Sequence, residues 1–285
     1  MTETAHKFGK HDDLVGIVSE GKGSARPAVI LMNANVVHHV GPHRIYVQLA
    51  RALASQGPIV LRFDLSGIGD SPVRPDNLSY SERAVIEAQE AMDFLHARYG
   101  QTQFVLMGLC AGADVSMRVS QEDRRIVGLA LFDPLAYRNL QYYLRRYLPK
   151  ARKLGTWIRL AKRLGSRDGR SKSREENEFY EYVRDVPPPS TMRQEFRALV
   201  TNRVHSLWLF TEGALGYYNY AGQLYDIFGA AARSSLVSLE FLPECAHTFV
   251  TRRQREILVQ TVCKWYAKSF PIRDESSFQS LARRE

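Results

Sequence analysis

The residues with the clearest chemical potential lie around Cys110. Phe104-Val105-Leu106-Met107 is an apolar run that reads as a buried strand. It ends in Gly108-Leu109-Cys110-Ala111-Gly112, and Asp114 to Arg118 suits the opening of a helix. A strand, a tight turn with a glycine on each side of a nucleophile, then a helix specifies a nucleophile elbow. The nucleophile sits on a strained turn, so small neighbours must let strand and helix backbones come close. The N–H of Ala111 then lies at a helix N-terminus and points at a developing oxyanion. With Cys rather than Ser, a thiol of ordinary pKa about 8.5 ionises readily beside an imidazolium. The bland alternative is a small buried cysteine at a strand end.

Such a turn needs a parallel sheet behind it, and the chain supplies one. Asp12 to Glu20 alternates weakly, as an edge strand would. Ala28–Met32, Phe104–Met107 and Ile126–Phe132 are short apolar runs of the type found in central strands, and Ile59–Asp64 reads as a further strand. Arg44 to Gln56 and Ser81 to Tyr99 carry helical apolar periods between them. Ser206–Phe210 and Ser235–Leu242 continue the strands, with helices at Gln223 to Ala232 and about Arg252 to Lys268, and a frayed tail from Arg273. This alternation predicts an α/β fold with a mostly parallel, doubly wound sheet. Residues 137–201 break the pattern. They open with a basic aromatic helix (Leu140, Tyr143, Leu144, Tyr147, Leu148) broken near Pro149. A second apolar piece runs from Leu154 to Leu164, and a polar linker covers Gly165 to Arg174. The division expected is a core in two parts, 1–136 and 202–285, with 137–201 inserted as a helical basic lid.

Composition narrows the function classes. Of 285 residues, 45% are hydrophobic and 24% charged, ordinary for a globular protein. Three cysteines without a CxxC argue against a disulfide scaffold or a structural zinc site and fit a reducing, cytoplasmic setting. The N-terminus shows no apolar signal region, and no apolar stretch is long enough for a transmembrane span. Net charge is +9, yet Arg138 to Arg174 alone carries 13 Lys/Arg against Asp168, leaving the remainder at −3. That stripe suits a solvated face, an acidic carrier protein, coenzyme A phosphates or an anionic membrane surface; no nucleic-acid recognition motif accompanies it. His38, His39 and His43 raise a metal question, but no acid is close in sequence, so neither a metal nor another cofactor is expected.

These motifs resemble the α/β-hydrolase superfamily, in its bacterial serine-aminopeptidase-like (lipase/esterase) branch. The resemblance rests on Asn33-Ala34-Asn35, on Arg62-Phe63-Asp64-Leu65-Ser66-Gly67-Ile68-Gly69-Asp70-Ser71, on the elbow, and on Ala246-His247-Thr248-Phe249. It implies a catalytic base at His247, after the last strand, and a second oxyanion donor at Ala34 or Asn35. It also implies a structural role for Asp64 and Asp70. The acid is less direct, because the family's usual position holds Ala214. Glu212 on the same loop and Asp133 after the strand following the elbow both qualify. Polyhydroxyalkanoate synthases and dienelactone hydrolases also carry elbow cysteines. The expectation is a Cys110–His247–acid enzyme acting on a small-molecule acyl thioester or ester, as acyltransferase or thioesterase. Simple ester or lactone hydrolysis is the alternative, as is a degenerate binding protein.

Overall fold

The computed structural model describes residues 1–21, 26–151, 184 and 186–272. Its strands are β1 (Thr2–Phe8), β2 (Leu14–Glu20), β3 (Ala28–Met32), β4 (Val60–Asp64), β5 (Phe104–Leu109), β6 (Ile126–Phe132), β7 (His205–Thr211) and β8 (Val237–Leu242). They form one sheet in the order β1-β2-β4-β3-β5-β6-β7-β8, antiparallel at β1/β2 and β2/β4 and parallel elsewhere. Every residue of β3, β4 and β5 is buried, which is why β3 and β5 are apolar throughout rather than alternating, while β4 also buries Arg62 and Asp64.

Among the described residues the helices are α1 (Ile45–Ala54), α2 (Tyr80–Tyr99), α3 (Ala111–Glu122), α4 (Leu140–Ala151), α5 (Pro189–Thr201), α6 (Gln223–Phe228) and α7 (Arg252–Ser269). The apolar faces of α1 and α7 pack on one side of the sheet. Those of α2, α3, α5 and α6 pack on the other. Helix starts follow local chemistry: Ser79 and Glu82 form a capping box at α2, and Thr251 and Gln254 form one at α7.

Three expectations change. β2 is not an edge strand, because β1 pairs along its whole length. β1 escapes a hydrophobic reading because its sequence, TETAHKF, is polar and only partly buried. The helix expected over Gln223 to Ala232 ends at Phe228, where Gly229 turns left-handed (φ 65°), and continues as a 3-10 turn. Pro149 lies within α4, which is described to Ala151, rather than breaking it. The stretch Leu154 to Leu164, the linker Gly165 to Arg174 and the tail from Arg273 lie outside the described residues.

Candidate active site

Leu109 ends β5, Ala111 begins α3, and Cys110 between them has φ 56° and ψ −119°. This is left-handed backbone that a side chain adopts only under constraint. The constraints are visible. The Cys110 N–H donates to Phe132 O (2.9 Å), and Cys110 O accepts from Ala113 N at 2.9 Å. A Cβ on Gly108 would lie 2.3 Å from the Gly112 carbonyl carbon, and one on Gly112 would lie 2.5 Å from Asn33 O. The two glycines therefore let β5, α3 and the loop after β3 meet. Tyr46 locks the same junction, donating to Met32 O (2.9 Å) and accepting from Leu109 N (3.0 Å). Ala111 N belongs to the first helical turn, whose donors have no intrahelical acceptor.

The loop carrying Ala34 and Asn35 is fixed by Asp64 at the end of β4. Asp64 Oδ1 accepts from His39 N (2.6 Å) and Asn33 Nδ2 (3.2 Å). Its Oδ2 accepts from Asp70 N at 3.1 Å and lies 2.7 Å from His39 Nδ1. Asn33 Oδ1 accepts from Leu65 N, and Asn33 Nδ2 also donates to Val37 O. Asp64 and Asp70 thus serve this turn. Asn35 is left-handed (φ 55°) beside buried Ala34. Sequence distance misled on one point: an acid does stand beside the loop histidines, because β4 carries Asp64 to His39. The ligand atoms of His39, Asp64 and Asp70 lie within 4.8 Å of one another. Both Asp64 oxygens are already engaged by N–H groups, an arrangement that locks the loop.

The structure brings His247 to Asp133 and not to Glu212. His247 Nδ1 lies 2.6 Å from Asp133 Oδ2. Asp133, fully buried and left-handed (φ 47°) at the end of β6, also accepts from Thr211 N (2.6 Å) and Thr211 Oγ1 (2.5 Å). Glu212 is exposed, and no hydrogen bond joins its carboxylate to His247; its backbone N–H donates to Cys245 O at 2.9 Å. It leads a 3-10 turn whose next residue, Gly213, presses on the imidazole: a Cβ there would lie 2.6 Å from His247 Nδ1. Ala214, at the family's usual acid position, is fully buried. Burial lowers the affinity of His247 for a proton. Hydrogen bonds and charge from Asp133 and Cys110 outweigh it and push the imidazole up to about 9. An imidazole bonded in this way to a buried acid has its tautomer and orientation fixed.

Beside the elbow, opposite α1 and α7, is a cavity of about 660 Å³. Ala111, Tyr80, Leu131, Leu135, Met192 and Trp208 line it, with Asp114, Arg184, Arg118 and Glu195 supplying charge. Sequence reading missed Arg184, whose Nε and Nη2 donate to Asp114 at 2.5 and 2.6 Å. Nothing in its local sequence distinguishes it from the other basic residues of the insertion.

Solved structures share the architecture. An α/β serine hydrolase without a lid from Xanthomonas campestris is similar at 15% identity and TM-score 0.54 over 96% of both chains. An esterase from Pyrococcus furiosus gives 14% identity and TM-score 0.61 over 94% of this chain and 91% of that one. A thermophilic esterase from Thermogutta terrifontis gives 17% and 0.54 over 94% and 99%. At these identities the likeness concerns the fold. No curated protein matches by sequence. No helix among the described residues is long and apolar enough to cross a membrane. The sequence profile described as serine aminopeptidase, S33, matches residues 28–199, well over half of the chain, and the protein therefore belongs to that α/β-hydrolase family.

Proposed function

We propose that the protein is a cysteine-dependent acyl-transfer enzyme, an acyltransferase or thioesterase acting on an acyl thioester or ester. The observation that carries this reading is the 2.6 Å Asp133–His247 contact, on a ring whose proton affinity both Asp133 and the elbow cysteine raise. Cys110 Sγ attacks the acyl carbonyl, with the thiol proton held on His247 and Asp133 orienting the ring. Ala111 N, with a backbone N–H at Ala34 or Asn35, receives the oxyanion. Collapse expels the thiolate or alkoxide leaving group, protonated by His247, and leaves an acyl-Cys110 thioester. Water or an acceptor nucleophile, deprotonated by His247, then releases the acyl group and the thiol. Exchange of one thioester for another is nearly thermoneutral, which favours thioester substrates. The cavity beside Ala111 suits the apolar part of the acyl group. The basic stripe from Arg138 to Arg174 suits an acidic carrier protein or coenzyme A.

Simple ester hydrolysis is the second reading, favoured by the esterases among the similar structures. Turnover of paired acyl thioesters and acyl esters by wild type and Cys110→Ala tests both. Cysteine-dependent turnover with thioesters preferred supports the first. Cysteine-dependent turnover of esters alone supports the second. Equal turnover by Cys110→Ala refutes the nucleophile.

A further inference from the structure

Arg184 lies in the connection between β6 and β7, with its side chain 3% exposed. Its guanidinium faces Asp114 in a bidentate pair, at 2.5 and 2.6 Å. The same group lies 3.3 and 3.4 Å from Asp133 O and 3.5 Å from Cys110 O. One side chain from the insertion thus reaches the backbone of both the elbow cysteine and the acid behind His247. Those two residues are the ones held at φ 56° and 47°, conformations that persist only when surroundings over-determine them. Tyr217 reinforces the second, donating to Asp133 O at 3.1 Å. A buried ion pair is a weak means of packing α3, since apolar residues do as well or better. Its placement against two strained carbonyls needs a different reason.

We propose that Arg184 is a positioning residue that fixes the backbone of Cys110 and Asp133 and so holds the nucleophile turn and the acid in register. This rests on the reading of Cys110 as the nucleophile. The ionisable groups around Cys110 are His247 from the loop after β8, Tyr46 of α1, Tyr80 of α2, Asp114 one helical turn on, and Arg184. Burial keeps both tyrosines neutral, so His247 and Arg184 supply the positive charge. Asp114 absorbs part of the Arg184 charge and fills its fork.

The test is the pH dependence of Cys110 alkylation by iodoacetamide, with Cys110→Ala as the blank for Cys245 and Cys263. Arg184→Gln strands the Asp114 carboxylate, so the double variant Arg184→Gln/Asp114→Asn, which buries no unpaired charge, accompanies it. Arg184→Lys tests whether charge without the fork suffices. In the folded double variant the alkylation rate at pH 7 should fall severalfold as the Cys110 turn loses its backbone support. Acyl transfer should lose kcat with KM unchanged, and Arg184→Lys should recover part of both. A folded double variant with the wild-type alkylation profile and kcat overturns the proposal and leaves Arg184 as a staple for the insertion. Alkylation needs no acyl substrate, so it reads the effect of Arg184 even if Cys110 proves not to carry an acyl group.

Discussion

Replacing Gly213 with Ala should cripple the site by adding one methyl group. The backbone of Gly213 is not left-handed, so alanine meets no conformational penalty there and the effect is steric. The new Cβ would lie 2.6 Å from His247 Cβ and Nδ1 and 2.7 Å from Cγ. Ordinary carbon contacts sit at about 3.5–4.0 Å, so the ring must retreat by about 1 Å. Overpacking of this kind costs about 1–3 kcal/mol of stability. The catalytic cost is larger. Retreat from Gly213 lengthens the 2.6 Å bond to Asp133 and moves the ring relative to Cys110. A misplacement of about 1 Å costs about 100-fold in rate. Release of thiol from an acyl thioester measures kcat, and a thermal melt measures folding. A folded Gly213→Ala variant within about threefold of wild-type kcat, rather than about a hundredfold below it, would show that this imidazole position does not set the rate.

Asp133→Asn should lower kcat by about 10²–10⁴-fold by losing the tautomer-fixing carboxylate, whereas Glu212→Ala should leave turnover unchanged. The same Asp133 variant should flatten a pH dependence of stability. Raised to about 9 from an ordinary 6.5, His247 contributes stability that is complete below pH 6.5 and lost as pH rises through about 9. At about 1.36 kcal/mol per pH unit that is about 3 kcal/mol, reduced to about 1–2 by screening of a side chain 33% exposed. Urea unfolding at pH 6 and pH 9.5 should show that loss in wild type and not in Asp133→Asn. Arg74→Met should destabilise by about 3–5 kcal/mol near neutral pH, because it leaves buried carboxylates unpaired. Arg74 bonds Asp13 (2.6 Å) and Glu90 (2.5 Å) and lies 3.5 Å from Glu87, joining the turn before β2 to α2. Its hydrogen bond holds the Asp13 carboxyl below the usual range, so the deficit should shrink as acid protonates Asp13. Chemical denaturation of both proteins across acid pH checks this.

The sheet was legible because central strands must be apolar on both faces, and Ala28–Met32, Phe104–Met107 and Ile126–Phe132 are. β1 was not, since an edge strand with exposed Thr2, Ala5 and Lys7 carries no such signature. The elbow was legible because Gly108 and Gly112 answer to backbone contacts that forbid a Cβ. The choice between Asp133 and Glu212 was not: both lie at strand ends, and only burial against Thr211 and His247 separates them. Arg184 was invisible for the same reason. Its partner Asp114 is 70 residues away, and only the fold joins them.

Intact-protein mass after mixing with acyl thioesters reads the covalent step at Cys110 itself. A mass increase equal to one acyl group should appear, absent in Cys110→Ala and discharged by water or an added acceptor. Thioester turnover with no adduct under rapid quench, or an adduct that persists in Cys110→Ala, would contradict an acyl-enzyme at Cys110.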